Sequence, residues 1–190
     1  MRAWAPILAL LSLSVATNIA NAQDAGATAN ASAASSTLGP VDYQFVAEAN
    51  LGAPFQVDSG RLGEKNAENP AVRDYAHLMV VSHIPVVDAL NTILARKRIS
   101  PPPDTLLHGA YDTIIAMLKA EDGVAFDRDY VVSQVEYQKG NTALFQNEIE
   151  NGMDRDLKEF ARHTLPKIDN HLQRALKLAE NAKRGRTASE

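Results

Sequence analysis

NPAVRDYAHLMVVSHIPVVDALNTILARKR, residues Asn69 to Arg98, decides the fold of this 190-residue chain. Asn69 offers a side-chain acceptor to the first free N–H groups of a helix, and Pro70 stands where a missing N–H costs nothing. Val72, Ala76, Met79, His83, Val86, Val87, Leu90 and Leu94 then recur at steps of three and four, which at roughly 100° per residue is one apolar stripe. The spacing predicts a single long helix that buries this stripe against neighbours, with the imidazole of His83 at its centre. Pro85, two residues on, is expected to bend it.

Upstream, Phe45, Ala49, Gly52, Gln56, Gly60, Gly63 and Ala67 lie on one arc of a helix expected from Asp42 to about Glu68. Pro54 is expected to bend it, Gln56 faces inward, and the glycines suit close approach of a neighbouring helix. Downstream, Ser100-Pro101-Pro102-Pro103 cannot continue a helix. Asp104 then opens a short amphipathic one carrying Leu106, Leu107, Ala110, Ile114, Met117 and Leu118. A connection of this length implies a crossover along the molecule. A third long helix, from about Phe126 to Asn151, carries Phe126, Tyr130, Gln134, Tyr137, Asn141, Leu144, Phe145 and Glu148 on one face. Gly152 breaks it and Asp154 caps a fourth, marked by Leu157, Phe160, Ala161, Thr164, Leu165, Ile168, His171, Leu172, Ala175, Leu176 and Ala179, with Pro166 as a third kink. Four such stripes bury one another as a four-helix bundle.

The ends read differently. Residues 1–22 have the layout of a secretory signal: Arg2, an apolar run over Ile7–Val15, then Ala20-Asn21-Ala22 as a cleavage site before Gln23. The run is shorter than the roughly 20 apolar residues of a membrane span, so a periplasmic or secreted protein without a stable span is expected, one unit more acidic once Arg2 is removed. Residues 23–40 are small and polar, a disordered linker closed by Pro40; residues 41–183 form the bundle domain and 184–190 a polar tail. Lys and Arg number 19 against 23 Asp and Glu, a formal charge of -4, which with no basic arm argues against nucleic acid as a partner. The absence of cysteine removes disulfides, thiolate metal sites and a cysteine nucleophile together. No G-x-S-x-G occurs, and no Ser stands beside a His by helix spacing.

Helix lengths set depth. Gln56 and His83 lie at similar distances on either side of the turn near Asn69, and Tyr137 and His171 fall near the middle of the third and fourth helices. The four are expected to form one polar layer, satisfied among themselves or by a buried water and setting register between helices.

Asp42-x-x-Phe45-Val46, Gln56-Val57-x-x-Gly60-x-Leu62, Met79-x-x-Ser82-His83, Phe126-Asp127-Arg128-x-Tyr130 and Leu165-Pro166-x-x-x-x-His171-Leu172, behind a signal peptide, resemble the bacterial domain of unknown function 4142. The resemblance implies a ferritin-like four-helix fold over about residues 41–180, here with a long helix-containing crossover between the second and third bundle helices. It also implies a candidate metal position, because similar proteins usually place Glu at the position of Gln56 and His at that of Tyr137. This chain keeps His83 and His171 and lacks the other two. Carboxylate-bridged di-iron sites in such bundles use Glu-x-x-His, and no Glu-x-x-His occurs here. Two histidines with Tyr137 and Gln56 would hold one Zn or Cu ion weakly, since Tyr must ionise and Gln is a poor ligand. His77, His108 and His163 are expected at solvated flanks, Asp88 away from the stripe. The sequence therefore supports an exported, non-catalytic bundle without a cofactor, acting in envelope stress or on a protein or envelope partner. The alternative is a ferritin-like metal-binding or redox protein using His83 and His171.

Overall fold

A computed structural model describes residues 38–101 and 105–187; the expected signal peptide, most of the linker and the last three residues of the tail lie outside them. Among the described residues five helices follow in order: α1 (Pro40–Asn66), α2 (Pro70–Lys97), α3 (Thr105–Lys119), α4 (Gly123–Asn151) and α5 (Arg155–Thr187). Asn69 caps α2, its side chain accepting from the N–H of Ala71 at 2.9 Å, and Arg98 ends α2 in the left-handed region. Asp154 caps α5, accepting from the N–H groups of Asp156 and Leu157 at 3.0 and 3.1 Å. α1 begins two residues before the expected Asp42 because Pro40 supplies a preset first turn. α5 continues into the expected tail, to Thr187. α1, α2 and α5 each run through an internal proline, and Pro54, Pro85 and Pro166 all lie on solvent-facing sides, where water can satisfy the carbonyl left without an N–H.

α1 packs most extensively on α2 and α4 on α5, with lighter seams between α1 and α4 and between α2 and α5. α3 lies against α1 and touches α4. The crossover brings α4 back to the α1–α2 turn: Ala67 pairs with Gly123, and the Asp127 carboxylate accepts from the N–H groups of Glu68 and Asn69 at 3.1 and 2.8 Å. At the opposite end Lys97, closing α2, reaches Asp154 and Asp156 at 2.9 Å. α1 and α5 therefore run one way and α2 and α4 the other. All four packed seams are antiparallel, which is the four-helix bundle with its crossover between α2 and α4.

The glycines of α1 let its neighbours approach. A Cβ at Gly60 would lie 2.8 Å from the Ala76 carbonyl, and one at Gly63 would lie 2.5 Å from the Ala76 Cβ. By length and composition α2 could cross a membrane, but in the bundle it supplies a core face; Val81 and Ile84 on its other side are exposed.

The core is divided. One apolar cluster holds Phe45, Ala49, Ala53, Val86, Leu90, Phe145, Leu157, Phe160 and Ile168. The other holds Val72, Tyr75, Ala76, Met79, Phe126, Tyr130, Val135 and Ala175. Every bundle helix passes from one cluster to the other, and the residues at that passage are polar.

Candidate functional site

Along α1 the passage falls after Ala53, at Gln56 and Ser59; along α2 it falls between Met79 and Val86, at His83; along α4 beyond Val135, at Gln138; along α5 between Ile168 and Ala175, at His171. Gln56, Ser59 and Gln138 are fully buried, and His83 and His171 are 2% exposed. The imidazoles meet, with ring centroids 5.1 Å apart.

Their hydrogen bonds define the tautomers. His83 Nδ1 lies 3.0 Å from the Met79 carbonyl, an acceptor only, so Nδ1 carries the proton and Nε2 keeps its lone pair. Ser82 spends its single O–H on the Leu78 carbonyl at 2.5 Å. Its oxygen is left to accept from His171 Nε2 at 3.2 Å, which leaves His171 Nδ1 a lone pair; that nitrogen is buried without a partner. Burial, more than any neighbour, lowers the proton affinity of both rings, His83 to about 4 and His171 to about 3. The nearby His83 and the Lys167 and Arg174 cations push His171 the same way. Both rings are neutral at pH 7.

The structure brings three of the four expected residues to one place. His83, His171 and Tyr137 line a cavity of about 10 Å³ whose other walls include Ala49, Ala53, Val86, Phe145 and Ile168, space for about one water. Gln56 is not on that wall, and neither its amide oxygen nor its nitrogen has a partner. At the passage between clusters α4 presents Gln138 as well as Tyr137. Gln138 donates to Met79 Sδ at 3.4 Å, while the Tyr137 ring packs on Phe55 and Tyr111, toward α1 and α3, with its hydroxyl against Gly52. Burial holds the Tyr137 phenol well above its ordinary value, which opposes the ionisation that metal ligation requires. Gln134, which donates to Ser59 at 3.3 Å, extends the layer toward the α1–α2 end.

The residues do not fit a carboxylate-bridged metal pair. Among the described residues no three of His, Cys, Asp and Glu are grouped so as to hold a metal ion. Asp88 is exposed. Glu148 is fully buried but stands beside Asp42 at the end of the bundle. His77 and His163 are exposed and pair with Glu64 at 2.6 Å and Glu159 at 2.7 Å; His108 is exposed.

The family model for a domain of unknown function, DUF4142, matches residues 27–178. The chain belongs to this family. No curated protein matches the sequence. The crystal structure of a DUF305 fragment from Deinococcus radiodurans is similar, with a TM-score of 0.67, 14% identity, and coverage of 76% of this chain and 98% of that one; the likeness is one of fold. Within this DUF4142 chain, sequence reasoning reached His83 and His171 through helix spacing but missed Ser82 and Gln138. Ser82 carried a signal in its adjacency to His83. Gln138 carried none, because α4 is polar around most of its circumference.

Proposed function

We propose that this DUF4142 protein is an exported, non-catalytic helical bundle that works through its surface on a protein or envelope partner, with the buried polar layer setting register among its helices. The observation that carries this reading is how the imidazole protons are spent. One is held by a backbone carbonyl and the other by a serine already committed to its own helix, and the cavity beside them is walled by mostly apolar side chains with Asn141, Thr164 and Lys167 but no carboxylate. A neutral pair so enclosed has no charge to offer a substrate and no group positioned to take up a proton near pH 7. It does penalise any sliding of one helix past another, because a slip would bury these groups against hydrocarbon.

One observation favours the metal-binding alternative: the unpartnered lone pair of His171 Nδ1 in the same cluster as His83. Thermal melting of the purified mature chain with and without Zn, Cu or Fe decides between them. The register reading expects no metal-dependent rise in Tm, since specific binding to the native state raises it by mass action. A rise that disappears in both His83→Leu and His171→Leu would replace it with the metal-binding one.

A further inference from the structure

At the end of the bundle away from the α1–α2 turn, the first turn of α1, the last turn of α4 and the α4–α5 turn meet around two carboxyl groups. Asp42 is 1% exposed, and its Oδ1 accepts the N–H groups of Met153 and Asp154 at 2.9 and 2.8 Å. Glu148, fully buried, lies beside it, and among the described residues no donor reaches either of its oxygens. Two glycines make room: Glu148 Oε1 occupies the space a Cβ would need at Gly152, and a Cβ at Gly39 would lie 2.9 Å from Asp42 Oδ2.

The charged groups facing the pair do not neutralise it. Asp154, on the turn, adds a third negative charge, but Lys97 of α2 is bound to it and to Asp156 at 2.9 Å. Arg96 of α2 is likewise held by Asp156 at 2.9 Å. Lys158 of α5 attracts Glu148 from a distance without an ion pair. Two carboxylates are acceptors only, so as ions this pair has no hydrogen bond between them and repels in a desolvated site.

We propose that Glu148 carries a proton at neutral pH and donates it to Asp42, and that this one shared proton is a latch holding the α4–α5 turn on the start of α1, released to solvent as the pH rises. Burial first, and then the Asp42 charge and hydrogen bond, raise the Glu148 carboxyl to about 8. The unfolded chain gives up this proton at an ordinary carboxylate value, so the native state holds the extra proton. The stabilisation is complete below about pH 4.5 and is lost as the pH rises through about 8. Phe45 and Phe145, each three residues inward from the pair, stack edge to face with centroids 4.9 Å apart. Release of the latch uncovers this end of the core.

The test titrates the Glu148 side-chain carboxyl carbon by NMR in the wild-type mature chain and follows Tm from pH 6 to 9 in wild type and Glu148→Gln, whose amide can still donate to Asp42. The expected midpoint is near 8, with a wild-type Tm that falls by roughly 4 °C or more across the range and a fall less than half as large in E148Q. Glu121 beside Asp129, at the other end, is shifted in the same direction, so the comparison between the two chains at each pH isolates Glu148. A Glu148 midpoint in the ordinary carboxylate range, or an unchanged fall in E148Q, overturns the proposal. Should E148Q not fold, the wild-type titration alone decides it.

Discussion

The imidazole of His83 shows most clearly how one polar side chain is accommodated in this core: it spends its proton on a carbonyl of its own helix, Met79. That carbonyl retains the backbone bond of the α-helix, so His83→Leu orphans nothing and is expected to change stability by no more than about 1 kcal/mol. The linked pH dependence is larger. Histidines of the unfolded chain take up protons below about pH 6.5, whereas His83 and His171 resist until about 4 and 3. Between those values the unfolded state binds more protons, and stability falls as the pH falls. In a urea midpoint series from pH 7 to 4.5 the wild type should lose on the order of 5 kcal/mol relative to the double variant His83→Leu/His171→Leu, a comparison in which the other titrating groups cancel. A double variant whose midpoint follows the wild type's across the range would show that the rings are solvated rather than sealed. Glu148 acts with the opposite sign, because its carboxyl is raised where the imidazoles are lowered.

At the scale of an element, α1 and α2 owe their close packing to glycine. Gly63→Ala would place a methyl 2.5 Å from the Ala76 Cβ. Neither atom belongs to a flexible side chain, so the helices must separate, at an expected cost of about 1–3 kcal/mol. Gly140, in the middle of α4, has nothing within 4 Å of a built Cβ and is exposed. There Gly140→Ala removes backbone freedom from the unfolded chain and should stabilise by roughly 0.5–1 kcal/mol. Chemical denaturation of the two variants side by side reads both signs. A neutral Gly63→Ala would mean that the α1–α2 seam has slack the geometry denies. Gly60 and Gly63 were legible in the sequence as contact points because they fell on the apolar arc, but their opposing residue, Ala76, emerged only from the packing.

At the scale of the whole molecule, the export reading predicts that intact-mass measurement on the envelope fraction finds a soluble chain beginning at Gln23; a full-length chain held in the inner membrane would refute it. The sequence by itself determined the helices, their caps and their order. A 3.6-residue apolar period, Asn69-Pro70, Asp154 and the triple proline act locally, within a turn or two of where they stand. It also determined the depth of His83 and His171, since depth along a helix of known length is a matter of counting. Only the tertiary structure decided rotation and partnership. Tyr137 and Gln138 differ by about 100° around α4, and on a helix with polar residues nearly all round nothing local chooses which neighbour each of them faces. Packing against α1 and α3 turned the tyrosine toward Phe55 and Tyr111 and left the amide facing Met79. The pairing of Asp42 with Glu148 was decided the same way: two carboxyls far apart in the chain lost their water together only when the bundle closed over them, and that desolvation is a property of the fold.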